Sequence, residues 1–138
     1  NINGNDGPYA DTLILAQRVK TSAIPSALFS VEDTLFVGMA DHGGLQIYNI
    51  DSQDGTGQEI SEFAEGFSIK EIYWDSSSRL LLLSCGFQGV VILKLDDNMN
   101  KIRNWIINTN YAYASRYYKS HIIVATRNGL EIIKINDQ

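Results

Sequence analysis

The sequence predicts an all-β chain of repeated four-stranded antiparallel sheets, and three observations carry that prediction. An octet recurs three times, as Gly44 to Asp51 (GLQIYNID), Gly89 to Asp96 (GVVILKLD) and Gly129 to Asn136 (GLEIIKIN). Three further strand-like segments recur in fixed order around it, at matched spacings. Each octet is aliphatic and β-branched with a polar break near its end, flanked by Gly and by Asp or Asn, which suits a strand buried on both faces better than a helix.

We label the segments A to D from the inside of a sheet outwards, the octet being C. The first D segment is expected at Leu13 to Lys20 (LILAQRVK), and its counterparts are Ile60 to Ala64 and Ile102 to Ile107. From each, the next apolar anchor lies nine positions on: Leu15 to Ile24, Ile60 to Ile69 and Ile102 to Tyr111. Equal spacing predicts a common D-to-A turn. A further eleven positions lead to Leu35, Leu80 and Ile122, across turn-rich stretches at residues 31–34, 75–78 and 119–121 that fit an A-to-B hairpin. Strand B is then expected at LFVGMA (35–40), LLLLSC (80–85) and IIVAT (122–126).

The B-to-C tips are Asp41-His42-Gly43, Gly86-Phe87-Gln88 and Arg127-Asn128, each returning the chain to a Gly suited to a positive φ. Asn1-Ile2-Asn3 matches Asn49-Ile50-Asp51 and Ile135-Asn136, so the chain starts and stops at one phase of the repeat. The expected organisation is a single segment, 1–138, with repeats at approximately 13–51, 58–96 and 100–136. It amounts to about twelve strands in three sheets.

A repeat of roughly 40 to 45 residues holding four short strands is the mark of a β-propeller blade. One blade is expected to be split between the termini, with Leu13 to Lys20 closing onto Leu130 to Ile135 so that no ladder edge stays open. Propellers have about four to eight blades, so three do not close a ring. The leading expectation is part of a larger propeller; the alternative is half of a dimeric, six-bladed one.

Composition is that of an ordinary globular chain, 44% hydrophobic and 20% charged. A net charge of −5 without any Lys/Arg cluster argues against nucleic-acid and anionic-membrane binding. No apolar run approaches the roughly 20 residues that span a bilayer, so no membrane insertion is expected in this segment. The single cysteine, Cys85, excludes an internal disulfide and reads as a small buried hydrophobe.

The run Thr34-Leu35-Phe36-Val37-Gly38 through Gly43-Gly44-Leu45-Gln46-Ile47-Tyr48-Asn49-Ile50-Asp51 resembles an LVIVD-type repeat, the propeller family whose blades carry a "YVA...GGLxIxDI" pattern. The later repeats, Leu80 to Asp96 and Ile122 to Asn136, match it more loosely. This chain departs from the pattern in lacking Pro after the Asp of strand C and in its shorter third B-to-C tip. The resemblance covers nearly the whole chain and implies a propeller, mostly extracytoplasmic and often at the cell surface, with no catalytic residues to carry over.

No catalytic, metal or cofactor signature is present: there is no P-loop, G-x-S-x-G or H-E-x-x-H, and Gly55-Thr56-Gly57 lacks the context of a nucleotide fingerprint. His42 beside Asp41 reads as a hydrophilic tip, since a metal needs three or four ligands and the other histidine, His121, belongs to a different connection. Asn49-x-Asp51-x-Gln53-Asp54-Gly55, echoed by Asn1-x-Asn3-x-Asn5-Asp6-Gly7, lacks the register and distal Glu of a calcium loop and reads as a turn. Trp74, Trp105 and the cluster Tyr111, Tyr113, Tyr117 and Tyr118 read first as packing between blades.

In propeller geometry the D-to-A and B-to-C connections share one face. The binding-face candidates are therefore Asp41, His42, Phe67, Phe87, Gln88, Tyr111, Arg127 and Asn128, with Lys20, Thr21, Ser22, Glu65 and Asn110 alongside. The expected function is a non-catalytic protein-interaction or scaffold module, whose partners are a protein or additional blades from the same chain or a second copy. The alternatives are a carbohydrate-binding propeller using the aromatic tips on a glycan, and a fragment of a propeller enzyme with its active site elsewhere.

Overall fold

The computed structural model describes residues 13–136. The matches proposed at Asn1 to Asn3 and Asn1 to Gly7 lie outside the described residues. Eleven strands form three antiparallel sheets. Blade 1 is β1 (Pro25–Val31), β2 (Thr34–Met39), β3 (Gly44–Ile50) and β4 (Gly57–Phe63), in that spatial order. Blade 2 repeats it with β5 (Glu71–Asp75), β6 (Leu80–Ser84), β7 (Val90–Leu95) and β8 (Lys101–Ile107). Blade 3 has β9 (Ala112–Tyr118), β10 (His121–Thr126) and β11 (Gly129–Lys134). The chain is built of β-propeller blades.

Each sheet is a meander of tight turns. Val31 pairs with Thr34 and Tyr118 with His121, leaving two-residue turns at Glu32-Asp33 and Lys119-Ser120. Lys119 and Ser120 both hold positive φ, 48° and 65°, the backbone that matches the right-handed twist of a hairpin. The loop at 51–57 is closed by its own side chains. The Asp51 carboxylate accepts from the amides of Gln53 and Asp54, and Asp54 accepts from the amide and hydroxyl of Thr56. Those Thr56 hydrogen bonds, the hydroxyl first, hold the Asp54 carboxyl below its ordinary value. One oxygen of each carboxylate, Oδ1, is thus used in building the turn.

Blades pack face to face because alternate residues of a strand point to opposite sides. Leu81, Leu83, Val91 and Leu93 of blade 2 join Ile72 and Trp74 against Phe36, Leu45 and Ile47 of blade 1. Leu80, Leu82, Val90 and Ile92 turn the other way, onto Ala112, Ile122 and Val124 of blade 3. Both seams include the innermost strands, with β1 against β5 and β5 against β9. Along that inner row Phe29, Tyr73 and Arg116 follow one another, Phe29 edge-on to Tyr73 at 6.1 Å and the Arg116 guanidinium 4.6 Å from the Tyr73 ring centre. Arg116 also pairs with Glu71 across the seam at 2.6 Å.

Two expectations are corrected. Leu13 to Lys20 form no strand, so among the described residues the count is eleven and β11 has no partner on its outer side. The reason is distance along the arc: blade 2 stands between blade 1 and blade 3. Residues 13–20 instead lie exposed beside blade 1, where Gln17 Oε1 accepts from the Gly57 amide at 2.6 Å. The second correction concerns register. Leu35 and Leu80 share a spacing to the glycine of strand C, yet Ile47 pairs with Phe36 whereas Ile92 pairs with Leu82. Phe36 is therefore the counterpart of Leu82, one position off the alignment by spacing, because the turn after Met39 is one residue longer than that after Cys85.

The glycines that open strand C are required by space as well as by φ. At Gly44 (φ 77°) a Cβ would meet the Phe63 and Ala64 carbonyl oxygens at 2.7 and 2.8 Å, and at Gly89 (φ 82°) it would collide with the Ile107 carbonyl oxygen. Gly44→Ala and Gly89→Ala should each cost more than about 2 kcal/mol, whereas Gly66→Ala, with positive φ but open space, should cost only about 1–2 kcal/mol. Urea unfolding midpoints order the three. A second prediction concerns Cys85, whose thiol burial pushes up to about 12. Folding holds the thiol neutral, so its contribution is complete below pH 9.0 and lost as pH rises toward about 12. A disulfide reagent at mildly alkaline pH should label Cys85 only after unfolding; rapid labelling of the native chain would contradict the burial.

Candidate functional site

The B-to-C and D-to-A connections meet on one face, and backbone hydrogen bonds lock them together. Gly44 donates to the Phe67 carbonyl at 2.9 Å and Gly66 to that of His42 at 3.0 Å. Gly86 and Ala112 exchange two bonds of 3.0 Å across the seam of blades 2 and 3, and Arg127 donates to the Tyr111 carbonyl at 3.1 Å. Gln88 acts as a clip: its Oε1 accepts from the Ser68 amide and its Nε2 donates to the Gly66 carbonyl, both at 2.8 Å.

The eight candidates divide into two groups. Asp41 and His42 stand exposed at one tip, with φ of 54° and 63°, and the His42 amide donates to Ser68 Oγ at 2.9 Å. With Ser22, Glu62, Glu65 and Lys101 they border a hollow of about 550 Å³. Phe67 lies beside them but is half-buried and packs against the core of blades 1 and 2. His121 is remote, at the A-to-B turn, its Nδ1 2.7 Å from the Lys119 carbonyl oxygen. Among the described residues no group of three or more His, Cys, Asp or Glu is placed to hold a metal ion.

The second group is an aromatic and cationic cluster drawn from three connections. Phe87 is 78% exposed and meets Tyr111 edge to face, with ring centres 4.6 Å apart. Tyr113 follows at 5.0 Å from Tyr111. The Arg127 guanidinium lies 4.6 Å from the Tyr111 ring centre and 5.2 Å from that of Phe87. Each such contact at an exposed position is worth about 0.5–1 kcal/mol, and Arg127 makes two of them. Among the described residues no carboxylate pairs with Arg127. Asn128 caps the same tip, its amide donating to Thr126 Oγ1 at 3.2 Å, and Asn110 donates to Glu131 nearby.

Tyr113 was not among the site candidates. Ala114 pairs with Ala125 but Ala112 pairs with Thr126, so Tyr113 is the extra residue of a β-bulge, which turns its ring toward Tyr111. Strand A of blade 1 carries a bulge at the same end, where the extra residue, Ser26, donates to the Ile69 carbonyl across the seam at 2.6 Å. Alternation alone places both residues wrongly. Thr21 and Val19, for their part, face an apolar hollow on the outer side of blade 1 and not the loop face.

No protein-family model matches the chain, and no curated protein matches it. Among solved structures, a chain of a mitotic checkpoint complex crystal structure is similar with a TM-score of 0.48 at 12% identity, covering 92% of this chain and 42% of that one. This chain thus spans less than half the length of that neighbour.

Both ends of the Gln88 side-chain amide are engaged with the loop at 64–70, which they hold. Gln88→Ala should cost about 1–3 kcal/mol for the two bonds lost and speed amide exchange at Ser68, while the aromatic fluorescence of the Tyr111 cluster stays unchanged. Exchange at Ser68 identical to wild type would contradict the clip.

Proposed function

We propose that the chain is a non-catalytic β-propeller interaction module, of the LVIVD repeat type, whose docking centre for a protein partner is the cluster Phe87, Tyr111, Tyr113 and Arg127. The observation that carries this reading is the cluster itself: an exposed aromatic tip and an arginine with no carboxylate partner among the described residues, held in fixed geometry by a packed scaffold. Tyr, Trp and Arg dominate binding hot spots, and Tyr in particular offers large contact area with only two side-chain torsions to freeze. A rigid cluster of this kind loses little side-chain entropy on docking.

The cluster suits a protein better than a sugar. Phe87 and Tyr111 meet edge to face and Arg127 covers their rings, so neither presents a bare flat platform for stacking a pyranose. A partner that brings a carboxylate to Arg127 and apolar atoms to Phe87 would use all four side chains.

The test compares partner capture by the wild-type chain and by Phe87→Ala, Arg127→Ala. The double variant should keep its unfolding temperature, since both side chains are exposed, and lose affinity at least about tenfold. Capture unchanged by the double variant, or abolished by free sugars, would overturn the reading.

A further inference from the structure

Two cations flank the aromatic tip of blade 2. Arg127 stands on the blade 3 side, its guanidinium over the rings of Tyr111 and Phe87. Lys70 stands on the blade 1 side, at the end of the connection at 64–70. Its amide donates to the Ser84 carbonyl at 2.7 Å, the residue is exposed, and its charge acts on the thiol of Cys85, two positions before Phe87. Among the described residues no carboxylate pairs with either cation. The acids of the adjoining strands are engaged elsewhere: Glu71 pairs with Arg116 at 2.6 Å, and Glu131 accepts from the Asn110 amide at 3.1 Å. In a chain of net charge −5, this part of the loop face keeps two positive charges around an apolar centre.

The backbone narrows the kind of anion that fits. Phosphate sites draw on groups of free main-chain N–H donors, at a helix N-terminus or in a nest of successive amides. Here the amides of Gly86, Gln88, Gly89, Arg127 and Asn128 all donate to partners within the loops. What the two cations offer a ligand is one guanidinium fork and one ammonium, on opposite sides of Phe87. The fork matches the two oxygens of a carboxylate. Two single cations held apart suit two single negative charges better than one dianion, since attraction falls with distance. The Phe87 ring between them, 78% exposed, takes an apolar side chain.

We propose that the docking centre recognises an extended acidic segment of a protein partner, in which two carboxylate side chains flank an apolar one. One carboxylate meets Arg127, the other meets Lys70, and the apolar side chain lies on Phe87 and Tyr111. This rests on the reading of the cluster as a docking centre and adds the chemistry of what docks there. In an extended chain alternate side chains share a face, so the segment reads acidic, apolar and acidic at every second position. The aromatic rings supply burial. The two charges set the orientation of the segment and reject basic partners, which is where complementary charge acts most strongly.

NMR titration of the isotope-labelled chain with blocked synthetic peptides tests this. A peptide containing Glu-Ser-Leu-Ser-Glu should shift the Phe87 amide and the Arg127 side-chain N–H signals, and its binding should weaken as salt rises. It should bind about tenfold more tightly than the same peptide with Gln in place of both Glu. Arg127→Gln and Lys70→Gln, both at exposed positions, should keep the circular dichroism of the wild type and each weaken binding about threefold, whereas Lys101→Gln, at the hollow beside blade 1, should leave it unchanged. Equal binding of the Gln peptide, or full binding by Lys70→Gln, would overturn the proposal. Tighter binding of a peptide with phosphoserine in place of both Glu would overturn it in favour of phosphate. Partner capture tells this failure from failure of the docking reading. If the Glu peptide does not bind while capture still depends on Phe87 and Arg127, the acidic segment is wrong and the docking centre stands; if capture is independent of both residues, the two fall together.

Discussion

Everything in this structure depends on the two-sided burial of a blade. A four-stranded sheet with aliphatic residues on both faces is stable only between two neighbours, and blade 2 is the one blade here with both. Its strand Leu80–Ser84 is buried at every position, Leu81 and Leu83 toward blade 1 and Leu80 and Leu82 toward blade 3. Burial of this kind stabilises by about 1.5–3 kcal/mol per large side chain, which outweighs any local preference of the chain. Few polar side chains enter the seams. Where they do they are paired, as Ser84 is with Ser115 at 2.9 Å.

The seams also position the loop face. Because strands on either side of a seam are locked, the connections that leave them are locked too, by the Gly86–Ala112 bridge on one side of blade 2 and the Gln88 clip on the other. Phe87 can therefore stay highly exposed and still be held, its ring against Tyr111 and beneath Arg127. The surface is a by-product of the packing below it, and its shape is defined by that packing.

Much of this was legible in the residues. The octets opened by Gly44, Gly89 and Gly129 are strands C, the turn-rich stretches are hairpins, Cys85 is buried, and the two connection types share a face. These follow from short-range rules of alternation, turn chemistry and repetition. Where the reading failed, the cause was a residue count. One additional residue after Met39 shifts strand B of blade 1 relative to its spacing, and one additional residue in strand A of blade 3 brings Tyr113 to the loop face. Phe67, taken as a tip, turns inward to the core because its loop bends over the seam.

The segment at residues 13–20 separates the two kinds of knowledge most clearly. Its composition and its spacing to Ile24 mark it as a strand of the repeat, and nothing local distinguishes it from β4 or β8. A strand, however, exists only beside another strand, and among the described residues none lies in position to pair with it. The sequence by itself determined the number of octets, the order of strands within a blade and which face of each strand is apolar, because those depend on neighbours within a few residues. Only the tertiary structure decided which edges find partners and which of the loop side chains meet, because ladder closure and the joining of Phe87, Tyr111 and Arg127 depend on where whole blades come to lie.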